Sequence, residues 1–231
     1  MVVKLNLINR SSDTNNSSVV IFQKNLATNF DELAIAWKVI ENIGSGDSHA
    51  FHFPAFSFIG ASDSWGNHTP LQPAQNGAQF QMELTNSGTQ LLPVANVDNV
   101  NSVVQMDFAV TANEQEASIP AFAPGREQLQ VANALPQGAL NVSVYKDGTL
   151  LAAKTSVVPG QKAVFEFKPT IWVGVASEVE QGQVMNSAII SNINTELSLL
   201  GIASADIVMT GGGPGKDAPP LVFTLENIVP A

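Results

Sequence analysis

The chain has 231 residues, enough for one large β domain or two of about 115 residues each, and a hydrophobic content of 45% supplies a core and excludes intrinsic disorder. A net charge of −10 disfavours nucleic acid and simple electrostatic docking on anionic lipid, which both call for a positive footprint. The absence of cysteine excludes disulfides and thiolate chemistry, and a charged fraction of only 13% leaves the polar surface to Asn, Gln, Ser and Thr.

In chain order, Val3, Leu5 and Leu7 alternate with Lys4 and Asn6, the period of a half-buried strand. Met1 to Asn9 has no charged leader before a long apolar run, and no window reaches the ~18–20 apolar residues of a membrane span. The expectation is therefore a cytoplasmic protein by default, with no transmembrane segment and with signal-independent export as the other route. Arg10 to Ser18 reads as a polar loop, and Val19 to Gln23 as a β-branched strand. In Asn29 to Ile43, Leu33, Ile35, Trp37 and Val39 alternate with Ala34, Ala36 and Lys38, which favours a strand although Asp31-Glu32 resembles the acidic first turn of a helix. Ser48 to Gly60 reads as two aromatic strands broken at Pro54, and Ala61 to Gly77 as a polar loop. Strands are expected at Gln79 to Thr85 and Ser102 to Val110, and a connector at Thr111 to Glu127. Further on, Asp147-Gly148 supplies the two positive-φ positions of a type I′ hairpin between Asn141–Tyr145 and Leu150–Ala153. Met185 to Leu200 is apolar without a clear period. Ile202 to Met209 and Leu221 to Ile228 read as closing strands around the glycine loop Gly211 to Gly215.

Gly46-Asp47-Ser48-His49-Ala50-Phe51-His52-Phe53 aligns without gaps on Gly160-Gln161-Lys162-Ala163-Val164-Phe165-Glu166-Phe167, 114 positions later. The same offset carries Phe58-Ile59-Gly60 onto Trp172-Val173-Gly174, and Phe108 and Phe223 fall close to it. A repeated β unit with no long amphipathic helix predicts an all-β protein of two similar antiparallel β-sandwich lobes in tandem, over 1–112 and 128–231, joined by 113–127.

Catalytic signatures are sparse. His49, His52 and His68 lie near Asp47 and Asp63, but residues three apart on a strand face opposite ways, so ordinary histidines are expected in place of a metal site. Gly211 to Lys216 lacks the spacing of a phosphate-binding loop and carries Asp217 next to Lys216, so a mobile glycine loop is expected. No nucleophile elbow occurs, and no enzyme activity or cofactor is expected. Trp65, set among Asp63, Asn67 and His68 in a polar loop, is expected to fold back as a lid; exposed, it would suit a sugar ring or a protein contact. Trp37 and Trp172 read as core.

The runs Val20-Ile21-Phe22-Gln23-Lys24, Leu33-Ala34-Ile35-Ala36-Trp37-Lys38-Val39-Ile40 and Pro159-Gly160-Gln161-Lys162-Ala163-Val164-Phe165 resemble a pattern of uncharacterised bacterial β-rich proteins of unknown function. That resemblance implies a bacterial β-sandwich and no activity for any residue.

The expected function is structural: a non-enzymatic protein whose lobes assemble with copies of themselves into oligomers or filaments. Candidate contact residues are Asp63, Trp65, Asn67 and His68, with Gly211, Gly212 and Gly213 on the second loop. The rival expectation is a toxin-like module binding a glycan, a membrane or another protein.

Overall fold

A computed structural model describes residues 2–13, 17–27, 34–94, 128–193, 195–215 and 217–231. Among the described residues, the strands of the first half are β1 (Val2–Asn9), β2 (Ser18–Phe22), β3 (Lys38–Ile40), β4 (Ser48–Pro54), β5 (Ser57–Asp63), β6 (Gln72–Ala74), β7 (Gln79–Thr85) and β8 (Gly88–Pro93). Those of the second are β9 (Leu129–Asn133), β10 (Leu140–Lys146), β11 (Thr149–Val157), β12 (Lys162–Phe165), β13 (Thr170–Ala176), β14 (Thr195–Ser198), β15 (Ile202–Thr210) and β16 (Val222–Pro230). Among the described residues there is one short helix, α1 (Ser187–Asn192), capped by the Asn186 side chain, which accepts from the Ile189 amide. The protein is all-β and sandwich-like.

The strands form four sheets of four, ordered β16-β15-β1-β4, β11-β10-β5-β6, β12-β9-β7-β8 and β14-β13-β2-β3. Adding eight to every strand of the first half reproduces this list: β8-β7-β9-β12 answers β16-β15-β1-β4, and β3-β2-β13-β14 answers β11-β10-β5-β6. Pairing is antiparallel except at β1–β15 and β7–β9, which occupy equivalent places. Local detail repeats as well. Asn9 exchanges backbone bonds with Asp47 and Gly46, and its side chain bonds the Ile43 carbonyl and the Ser11 amide. Asn133 does the same with Gln161, Gly160, Val157 and Leu135. Asn42 and Ser156, 114 apart, are both left-handed, with φ of 54° and 58°.

The repeat is real in the strands, but the lobes are not laid end to end. Every sheet draws strands from both sides of 113–127, so the expected boundaries do not coincide with the way the strands pair. Contacts of β16 with β13 and β14, of β5 with β8, and of β11 with β12 associate the sheets two by two. One lobe is then the continuous run β5 to β12; the other combines β1–β4 with β13–β16. The chain crosses between them at 55–56 and again at 166–169, equivalent points of the two repeats. A parallel partner for β1 or β7 has to come from a distant stretch of chain, because a hairpin yields only antiparallel neighbours.

Buried Leu5, Leu7, Ile21 and Ile207 of one lobe and Ile59, Val131, Val144 and Phe165 of the other belong to one continuous core. A smaller cluster of Val20, Phe22, Ala34, Ala36, Met185 and Ile193 lies on the other face of β2 and β13, under α1. That cover explains why β2 reads as an unbroken apolar run, whereas the equivalent β10 alternates.

Of the stretch read as a strand over Asn29 to Ile43, residues 29–33 lie outside the described residues, and the remainder is regular only at β3. Ala34 and Ala36 instead bond Met185, Gln183 and Gly182, and both faces are buried. The loop expected at Ala61 to Gly77 is interrupted, since β5 runs on to Asp63 and β6 adds an edge strand. Met185 to Leu200 contains α1 and β14. Asp147 and Gly148 have φ of 52° and 72°, as a type I′ turn requires. The strand expected at Ser102 to Val110, with Phe108, and the connector at Thr111 to Glu127 lie outside the described residues.

Candidate functional site

Asp63 is buried at the end of β5 and organises its own turn. Its carboxylate accepts from the Trp65 and Asn67 amides at 3.0 Å, from Asn67 Nδ2 at 2.9 Å and from Thr89 Oγ1 at 3.1 Å. Burial alone raises its pKa, but these four bonds together outweigh burial and hold it below the ordinary value. Asp63 is thus a structural anchor and not a surface contact. Trp65 is 59% exposed, which overturns the lid reading; its ring edge rests on Gly138, where a Cβ would come within 3.1 Å of it. Asn67 and His68 are exposed on the same turn.

Gly211, Gly212 and Gly213 have φ of 89°, 73° and 132°. Their loop is tied down where a mobile one was expected: the Ser12 amide bonds the Gly211 carbonyl at 2.8 Å and the Gly212 amide bonds the Pro219 carbonyl at 2.8 Å. A Cβ on Gly211 would collide with the Pro220 carbonyl oxygen. The Asp63–His68 turn packs on Thr89 and Gly138, and the glycine loop on Ser12 and Asp13. His49 and His52 are exposed on β4, and no cluster of three metal-ligating side chains occurs among the described residues. No helix among the described residues is long and apolar enough to cross a membrane. Trp37 is core, but Trp172 is half-buried, stacked on Phe22 and covered by Lys24 Nζ at 3.4 Å.

The most distinctive chemistry lies elsewhere, in a cavity of about 350 Å³ where the chain crosses between the lobes. Its apolar walls include Phe53, Phe167, Leu199 and Ile202; its polar groups include Gln23, Asn76, Lys146 and Lys168, with no carboxylate among the lining residues. Lys146 is the last residue of β10 and only 5% exposed. Its Nζ donates to Gln23 Oε1 at 3.2 Å and sits 3.9 Å over the Phe53 ring. Its carbonyl accepts from Trp37 Nε1 at 2.8 Å, and Trp37 packs edge-on against Phe53. Gln23 is oriented in turn, with Nε2 donating to the Lys168 and Thr170 carbonyls at 2.8 and 3.0 Å. Burial pushes the Lys146 amine down to about 7.

Gln23 and Lys146 occupy the same position in the two repeats, one residue after the equivalent Phe22 and Tyr145 that pair with Trp172 and Phe58. They meet on the pseudo-two-fold axis. The sequence reading did not single out this pair. A usable signal was present: with Leu140, Val142 and Val144 facing in, the period of two sends Lys146 inward too.

The family model RhiA matches residues 2–198 of the chain. The chain belongs to the RhiA family. The matched stretch includes β1 through β14 and ends before β15 and β16. No curated protein and no solved structure matches the chain.

Proposed function

We propose that this RhiA-family protein binds a small organic anion with an apolar body, held between the lobes with the Lys146 amine as its counter-charge. The observation that carries this reading is a buried amine with no carboxylate among the residues lining its cavity. Burying an unpaired cation is unfavourable, and packing alone gives no reason to keep one. An anion in the cavity would supply the missing charge; Lys168 adds a second positive group, and Phe53 and Ile202 offer apolar contact.

Calorimetry with octanoate and neutral octanamide at pH 6 tests this. The wild type should bind octanoate at least tenfold more tightly, about 1.4 kcal/mol, and Lys146→Met should erase the preference. Affinity should fall as pH rises through about 7, because the amine then loses its charge. Equal affinity for the two compounds, or none for either, overturns the reading.

Self-association is the second reading, favoured by one observation. β16 is a nine-residue edge strand whose Val222, Ile228 and Val229 are exposed, a surface that a second copy could extend. Light scattering should show oligomers that Val229→Lys disperses; a wild-type monomer at millimolar concentration removes this reading.

A further inference from the structure

We propose that the Lys146 amine captures the carbonyl group of an aldehyde or ketone in the inter-lobe cavity as a reversible imine. This inference rests on the cavity being a small-molecule site. It goes further by assigning the amine a covalent role.

Three observations support it. The residue is immobilised, since its carbonyl is held by Trp37 Nε1 at 2.8 Å and its Nζ lies between the Phe53 ring and Gln23 Oε1. Gln23 presents an oxygen to the amine because its own Nε2 is committed to two carbonyls, so a neutral amine can donate one N–H there and keep its lone pair. No carboxylate among the residues lining the cavity holds the group as ammonium. Lys168 is the one other titratable side chain on those walls, and Gln23, Trp37 and Phe53, which pack on Lys146, are neutral. With burial bringing its proton loss to about 7, half of the amine is nucleophilic at neutral pH. The equivalent residue of the other repeat is an amide, and two amides would satisfy each other without a buried charge. Of these two equivalent residues, Lys146 is the one that can form this bond.

The step balances without a redox partner. The nitrogen lone pair attacks the carbonyl carbon to give a carbinolamine. Both amine hydrogens then leave with the former carbonyl oxygen as one water, and a C=N bond remains. Hydrolysis reverses it.

The test treats the full chain with octanal and sodium cyanoborohydride at pH 7 and maps alkylated lysines by peptide mass spectrometry. Lys146 should be modified about a hundredfold faster than any other lysine, because an ordinary lysine amine is almost wholly protonated at that pH. Its rate should rise with pH and level off above about 7. Lys146→Arg, which cannot form the imine, should lose the fast adduct. Labelling spread evenly over the lysines, or no adduct at Lys146, overturns the capture. If octanoate still binds in that case, the anion site stands and only the covalent role falls; if neither compound binds, both fall.

Discussion

Two buried charges set the residue scale, and they behave in opposite ways. Asp63 is surrounded by donors, so its carboxylate form is favoured in the fold. Asp63→Asn should cost about 1–2 kcal/mol near pH 6 by turning one acceptor into a donor opposite Asn67 and Thr89. Because the folded pKa is depressed, that contribution is complete above the unfolded value of about 3.8 and disappears as pH falls through the lower folded value. Denaturant titrations of both proteins should therefore converge in acid. Lys146 is the reverse. Its folded form releases the proton at about 7, whereas the unfolded amine keeps it up to about 10.5. Between those values the unfolded chain binds more protons, so stability climbs with pH, and below 7 the penalty is complete. Lys146→Met should be more stable than wild type by a few kcal/mol at pH 7, with the gap closing towards pH 10. A variant less stable than wild type at pH 7 would mean that the amine is compensated.

The equivalent elements of the two repeats can be compared at matched positions. Asn9 and Asn133 each close a strand end through four hydrogen bonds to equivalent partners, and replacing either with Ala should cost about 2–3 kcal/mol, the two losses agreeing within about 1 kcal/mol. Gly60 and Gly174 also match, yet their surroundings differ. A Cβ on Gly174 would lie 2.8 Å from both Ile193 Cγ1 and Cγ2, at the end of α1, whereas on Gly60 the one close approach would be to the far end of Leu71, at 2.8 Å, with Thr69 at ordinary contact distance. Gly174→Ala should cost about 1–3 kcal/mol and speed hydrogen exchange in α1, while Gly60→Ala should cost less because Leu71 is exposed and can turn away.

For the whole molecule, interleaving decides what can fold alone. Residues 1–112 and 113–231 each lack strands of every sheet, so each expressed separately should be insoluble or unfolded, whereas co-expression should restore a soluble complex with the full β signature in circular dichroism. Independent folding of either half would contradict the interleaved pairing. The exposed Arg10–Glu226 ion pair, which joins the end of β1 to β16, is too solvated to decide this: exposed pairs contribute about 0–1 kcal/mol.

Residue patterns alone pointed to the class of structure and to a repeat. Alternation in β1, the Asp147-Gly148 turn and the matched Phe-x-Phe strands β4 and β12 are local features, and side-chain period and turn chemistry act locally. The extent of the repeat was hidden because Asn9 and Asp47 are 38 residues apart while Asn133 and Gln161 are 28 apart, so a gapless match finds only β4 and β5 with their counterparts. Which repeat pairs with which was decided by tertiary structure, since a strand carries no mark of its distant neighbour. The same holds for the cavity: Gln23, Phe53 and Lys146 are far apart in the chain, and an amine becomes chemically unusual only when folding removes water and leaves it without an anion.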